Sequence, residues 1–352
     1  MVAGDSVSAL PWLGEPLRRG VSMRSHAVLV HGPDGVGQFE LALALAQAWL
    51  CEAEAAPAQR PCGACASCRL VRAHSHPDLL VLVPEALRES LGWEATGTDG
   101  DEPVEKAGKA RPSRDIKVEA VRQAVGFVQT TAARGRAKAV LLHPAERMNP
   151  IAANTLLKTL EEPPGAARFL LSCAAPEALL PTIRSRCQSL LLGVPPHQLA
   201  VDWLAAHGVA EPGVLLAACG GQPLQARQWW EEGIDAGAWR QLPARLARGE
   251  AGPLAAWPVP RLVEALQKLC HDVFSVSAGA APRYFPEGSV EDGADLVRVG
   301  AWSRELTRIA RHAEHPWSSG LMVEALVESA RNALARSGRG VRGAVNSLHS
   351  AR

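Results

Sequence analysis

Two groups of residues in this 352-residue chain have the types and spacing to do chemistry on their own. The first is His31-Gly32-Pro33-Asp34-Gly35-Val36-Gly37-Gln38-Phe39. Gly32 and Gly37 stand at the G-x-x-x-x-G spacing of a phosphate-binding loop, where backbone N–H groups and a helix N-terminus cradle an anion. The next two residues of such a loop are Lys, which meets the β- and γ-phosphates, and Ser or Thr, whose hydroxyl ligates Mg²⁺. Here they are Gln38 and Phe39. A charge pair ~4 Å apart near a protein surface is worth on the order of 4 kcal/mol. The Gln38 amide offers only a neutral hydrogen bond in its place, and Phe39 offers no metal ligand. The strand Ala139–Leu142 should end near an acidic Mg²⁺ partner, yet His143-Pro144-Ala145-Glu146 follows, with no Asp. Gly32, Gly35, Gly37, Gln38 and Phe39 thus read as a degenerate phosphate loop in which neither ATP nor Mg²⁺ is expected. An ordinary strand-to-helix turn and a nucleotide site built from atypical residues are the alternatives.

The second group is Cys51-x₁₀-Cys62-x₂-Cys65-x₂-Cys68, four of the chain's eight cysteines in one short window. Two C-x-x-C steps sharing Cys65 can fold thiolates around one tetrahedral Zn²⁺, with Cys51 closing the site. Four cysteine ligands leave no position for substrate or water, so the expected role is structural, one zinc per chain. Free thiols or a redox C-x-x-C pair are the other readings. Cys173, Cys219 and Cys270 have no role that the sequence assigns.

These groups need a scaffold, and the first half of the chain supplies the pattern of one. Ala27–Val30, Leu79–Val83, Ala139–Leu142 and Phe169–Leu171 are short apolar runs of the kind found in buried parallel strands. Between them, Phe39–Leu50 is a run of helix formers, Val118–Val128 carries apolar residues at helical spacing, and Ala152–Glu161 stops at Pro163-Pro164. Strands alternating with helices imply an α/β fold with a mainly parallel sheet covered on both faces. Residues 84–114, rich in Gly, Pro, Ser and charge, read as a mobile surface insertion without periodicity. Beyond residue 193 strand signals stop: 195–216 and 225–230 read as small helices, and 239–336 as helix after helix, with 261–274 and 321–335 amphipathic. The last dozen residues read as a frayed tail.

Composition bounds the function. Thirty-seven Lys and Arg balance 36 Asp and Glu, for a formal net charge of +1, which argues against binding nucleic acid through an overall field. Arg134, Arg136 and Lys138 form a local basic stretch, read as a solvated loop in preference to a DNA contact. No apolar run approaches the length of a membrane span, and the first thirty residues lack the pattern of a secretion signal, so a cytoplasmic protein without membrane attachment is expected.

A third motif acquires meaning through a resemblance. Ala152-Ala153-Asn154-Thr155-Leu156-Leu157-Lys158-Thr159-Leu160-Glu161-Glu162-Pro163-Pro164 is similar to the AAANALLKTLEEPP-type signature of bacterial clamp-loader AAA+ subunits, and Ser185-Arg186-Cys187 matches their SRC motif. The four-cysteine insertion after the phosphate-loop helix resembles them too. The likeness covers residues 20–230 well. It implies an AAA+ P-loop-type sheet domain over 1–193 with a zinc module at 51–68, a helical lid over 194–234, and an all-α collar for oligomerisation over 235–352. It implies that Arg186 reaches in trans, as an arginine finger, to the γ-phosphate of ATP on a neighbouring motor subunit, with Ser185 and Cys187 positioning it; an intramolecular salt bridge of Arg186 is the other reading. Lys158 and Glu161-Glu162 then read as packing and interface surface. With its own loop degenerate, the chain resembles a non-hydrolysing member of the family. Its implied partners are the gamma/tau and delta subunits in a hetero-oligomer and, through that complex, the sliding clamp and primed DNA in replication. An ATP-hydrolysing motor of the same family and a zinc-dependent nucleic-acid-binding module are the alternatives.

Overall fold

The computed structural model describes residues 10–54, 56–93, 112–252, 256–311 and 319–335. Contacts divide the chain into two compact units, Met1–Trp203 and Leu204–Arg352.

The first unit opens with helix α1 (Gly14–Ser22), followed by strand β1 (Ala27–His31) and helix α2 (Gln38–Leu50). Ten of the thirteen α2 residues are apolar, and only Glu40 escapes burial; the helix lies within the fold and not on its surface. Then come α3 (Ala66–Arg72), β2 (Leu79–Leu82), α4 (Glu85–Leu91), α5 (Val118–Gln129), β3 (Lys138–Leu142), α6 (Pro150–Glu161), β4 (Ala167–Cys173), the single turn α7 (Pro181–Arg184) and β5 (Gln188–Leu191). The strands form one five-stranded sheet in the order β2-β3-β4-β1-β5, and every pairing is parallel. This is the mainly parallel α/β sheet that the strand and helix pattern implied. Val140, Leu142, Phe169 and Leu171 project from the central strands onto Val121, Ala124 and Val128 of α5 and Leu156 and Leu160 of α6, forming the main core.

Two sequence expectations change here. The strand β5 carries no apolar run, because as an edge strand it buries only Leu190. The segment 84–114 is not uniformly irregular: Glu85–Leu91 is helical, closed by Gly92 at φ 62°, and the Ser113 N–H donates to the Glu85 carboxylate at 3.0 Å. Leu87, Glu89 and Leu91 are ordinary helix formers whose signal the polar residues after them obscured. The expectation of mobility falls mainly on 94–111, outside the described residues, as does the expected tail.

The second unit is helical as anticipated. Its helices are α9 (Pro212–Ala218), α10 (Pro223–Glu231), α11 (Ala236–Ala247), α12 (Val259–Ser277), α13 (Leu296–Ala310) and α14 (Ser319–Leu334), with α8 (His197–Ala206) running across the division between the units. Trp229, buried on α10, packs its ring 5.3 Å from Trp239 and 5.8 Å from Trp257. The Asp272 carboxylate, fully buried on α12, accepts the N–H groups of Arg283, Tyr284 and Phe285 at 2.8–2.9 Å and so pins an irregular segment to a helix.

Candidate functional site

The phosphate loop lies where its sequence puts it, between β1 and α2. Its glycines are required by geometry. A Cβ on Gly32 would stand 1.8 Å from the Leu192 carbonyl oxygen, and Gly37 has φ 102° at the helix N-cap. The side chains of the loop bond within it. The buried Gln38 amide donates to the Gly32 carbonyl at 2.7 Å and to that of Pro33. The Asp34 carboxylate accepts the Gly35 N–H at 3.0 Å, so a negative side chain holds a donor that a phosphate would use. From outside, the Trp12 indole N–H donates to the Val36 carbonyl at 2.8 Å.

The Phe39 and His143 rings lie with centroids 5.1 Å apart. Trp93 meets Phe39 edge-on at 6.4 Å, and His74 stacks on Trp93 at 4.0 Å. His74, Trp93, Phe39 and His143 thus make one continuous chain of rings. Burial pushes the His143 imidazole down to about 4, so it is neutral, and its Nδ1 pairs with Ser172 Oγ at 2.9 Å. Glu146, the nearest acid after β3, turns away and accepts the Ala174 N–H at 2.9 Å. Sequence reasoning found Gln38, Phe39 and His143; it missed Trp93 and His74, which no motif marks.

The four cysteines do converge. The Sγ atoms of Cys51, Cys62, Cys65 and Cys68 all lie within 4.8 Å of one another, with Cys62–Cys68 at 4.0 Å and Cys51–Cys65 at 3.9 Å. Four thiolates around one Zn²⁺ at about 2.3 Å stand about 3.8 Å apart, so the donor set fits a tetrahedral ion. Backbone N–H groups point at the sulfurs: that of Cys62 to Cys51 at 3.5 Å, of Cys65 to Cys62 at 3.4 Å, and of Cys68 to Cys65 at 3.4 Å. The N–H groups of Cys65 and Ala64 lower the Cys62 thiol to about 6, while burial raises the Cys51 and Cys68 thiols. This group can hold a metal ion. The other four cysteines do not join it. Burial raises Cys173 and Cys187 to about 12, and Cys219 and Cys270 are buried likewise, so these thiols stay protonated and inert.

The module is tied into its unit by side chains the sequence left unassigned. Arg134 donates from Nε to Glu52 at 2.6 Å and to Ser67 Oγ at 3.1 Å, and His76 pairs with the same hydroxyl at 2.9 Å. Lys138 lies buried with Nζ 3.9 Å from both the Asp78 carboxylate and the centre of the Phe127 ring. The reading of the basic stretch as a solvated loop is therefore corrected for Lys138, which is buried against Asp78; Arg134 is exposed although paired with Glu52, and Arg136 is exposed as expected. The spacing gave no sign of it, because both acids lie more than fifty residues away in sequence.

Arg186 follows α7 at the end of the β4–β5 connection. Its Nη1 donates to the Thr182 carbonyl at 2.8 Å and lies 3.5 Å from Ser185 Oγ; its Nη2 makes an ion pair with Glu161, the last residue of α6. Its side chain retains 31% exposure. The side chain is thus half-buried, its Nε is buried, and it is held in the intramolecular ion pair that is the alternative to an outward-reaching arginine.

Known proteins resemble the chain over this same region. The family model described as "DNA polymerase III, delta subunit" matches residues 20–195. A Pseudomonas aeruginosa protein named DNA polymerase III subunit delta' is 37% identical over 262 residues, covering 70% of this chain and 70% of its own. The chain belongs to the DNA polymerase III delta prime family. An Escherichia coli member is 31% identical over 281 residues, 73% of this chain and 76% of that protein. The Escherichia coli DNA polymerase III subunit tau is 33% identical, over 162 residues that make up 46% of this chain and 20% of tau. Within this delta prime chain the matched region contains the degenerate loop, the four cysteines and Arg186. The clamp-loader AAA+ resemblance read from residues 152–164 and 185–187 therefore stands.

Proposed function

We propose that this delta prime chain is a non-hydrolysing subunit of a clamp loader, and that it acts on ATP bound by its neighbour. The observation that carries this reading is a contrast within one domain. Gln38, Phe39 and His143 stand where a working site would carry Lys, a hydroxyl and an acid, while the Arg186 side chain keeps about a third of its surface exposed. A permanent charge with a planar donor fork is the group suited to a transferring γ-phosphoryl, whose negative charge grows on its outer oxygens. Ser185 and Thr182 hold that fork through contacts to Nη1, and the protonated Cys187 packs at the core edge beneath it. These are positioning roles.

The rest of the molecule serves assembly. Residues 1–193 form the AAA+ domain, 194–234 the lid and 235–352 the collar through which it joins gamma/tau and delta subunits in the cytoplasm. The complex then acts on the sliding clamp and primed DNA. Cys51, Cys62, Cys65 and Cys68 would hold zinc, which supplies a structural cross-link and no catalysis. Among the described residues no helix is long and apolar enough to cross a membrane.

The test is reconstitution of the chain with gamma/tau and delta subunits. Arg186→Ala should assemble normally yet lower DNA-stimulated ATP turnover by at least about tenfold, the low end of what a trans arginine supplies falling well above this. Unchanged turnover in a fully assembled complex rejects the assignment.

A further inference from the structure

The pairing of Arg186 with Glu161 has a physical peculiarity. Glu161 is the last residue of α6, with Glu162 at the C-cap. Two carboxylates at a helix C-terminus oppose the helix dipole, which favours cations there. Here the cation comes from another segment, 25 residues on, and it takes Glu161 through Nη2. The other nitrogens of the fork are committed inward. Nη1 is held by the Thr182 carbonyl, and Nε is buried with no hydrogen bond. Nη2 is therefore the corner of the guanidinium that meets an external anion, and in this chain a carboxylate occupies it. Glu161 is itself 47% exposed, so the pair sits at the surface, where such contacts are weak and exchangeable.

We infer that Glu161 is a positioning residue that holds Arg186 in a paired state and competes with the neighbour's γ-phosphate for Nη2. The inference rests on the proposed role of Arg186 in trans. A phosphoryl group carries more charge than a carboxylate and forms charge-assisted bonds to the same fork, so it displaces Glu161 when the interface closes around it. While the interface is open, the Glu161 carboxylate satisfies the arginine and keeps it from engaging. Turnover is then coupled to full closure, because only a well-placed phosphate displaces Glu161. Lys158, one helical turn before Glu161, lies exposed on the same helix and balances the carboxylates once Arg186 leaves.

Glu161→Gln keeps shape and hydrogen bonding but removes the charge, and Glu161→Asp keeps the charge with a shorter reach. In the reconstituted complex, Glu161→Gln should raise ATP turnover measured without DNA or clamp by up to about fivefold, the span of a surface ion pair. The change should appear in kcat with little change in KM, and the ratio of DNA-stimulated to basal turnover should shrink. Glu161→Asp should fall between the two, and Glu161→Ala should move with Glu161→Gln. Thermal melting of the isolated chain should be nearly the same for all four, which separates this role from a structural one. Basal turnover that is unchanged or lower in Glu161→Gln, in a complex where Arg186→Ala abolishes stimulation, overturns the competition while leaving the trans role of Arg186 intact. If Arg186→Ala itself leaves turnover unchanged, the trans role fails and the inference falls with it.

Discussion

His143, directly after β3, is a packing residue. Its ring fills the space beside Phe39, and its Nδ1 ties β3 to Ser172 on β4. An ionised carboxylate without a metal would be unpaired there, whereas a neutral imidazole needs only one partner. This arrangement carries a pH signature. Burial holds the folded-state value at about 4, below the ordinary 6.5, so the unfolded chain binds a proton that the folded chain refuses. Stability from this group is intact above about pH 6.5 and is lost as pH falls toward 4. Between pH 7 and pH 5 the loss is about 2 kcal/mol. In urea unfolding of the chain, His143→Gln should be less stable at pH 7 through poorer ring packing, yet lose about 2 kcal/mol less than the native chain on going to pH 5. Parallel pH slopes for the two proteins would assign the acid lability to other groups. His74 and His76 are also lowered by burial and account for the slope that persists in the variant.

At the scale of elements, the cysteine module is held by protein contacts, and a metal ion bound by its four thiols would hold it from a second side. The protein side consists of the Glu52–Arg134–Ser67–His76 contacts and the Gln47 amide, which donates to the Cys68 carbonyl at 3.2 Å from within α2. Cys65 caps α3 through its sulfur, so a ligand also starts the helix. Cys65→Ser should therefore reduce bound zinc from one equivalent per chain toward zero and open the 51–72 region to proteolysis. The five-stranded sheet should persist, since none of its strands contributes a ligand. Metal analysis with limited proteolysis reads both outcomes; a Cys65→Ser chain that retains one equivalent of zinc would show that the four-cysteine site is misassigned. The sequence showed these ligands because metal geometry constrains spacing along the chain. The four buried strands were visible for a similar reason, since burial on two faces demands continuous apolar runs. Strand β5, Trp93 and the Asp78–Lys138 pair were not, because each is defined by a partner distant in sequence: β1 for the strand, Phe39 and His74 for the tryptophan, and β3 for the acid. The degenerate loop was legible as a loss of chemistry, but what replaced the chemistry was not.

For the whole molecule the balance of charge decides between two kinds of partner. A net charge of +1 gives little long-range attraction to a phosphate backbone, so only a local basic cluster would bring the isolated chain to DNA. The cluster that the sequence offered is largely spent: Arg134 neutralises Glu52 and Lys138 faces Asp78, leaving Arg136 exposed. Counterion release scales with the number of phosphates met, and a chain meeting one or two should show a log–log salt slope no steeper than about −2. Primed DNA titrated into the isolated chain and followed by fluorescence anisotropy should thus give only weak binding, in the ~10⁻⁴ to 10⁻⁶ M range of non-specific contacts, with that shallow slope. Arg134→Ala should leave this affinity unchanged and lower the melting temperature, since its guanidinium braces the cysteine module and not a nucleic acid. Tight binding by the lone chain with a steep salt slope would instead favour the nucleic-acid-binding module. In that case the acids at positions 52 and 78 would have to release their cations to DNA, and Arg134→Ala would weaken binding as well as stability.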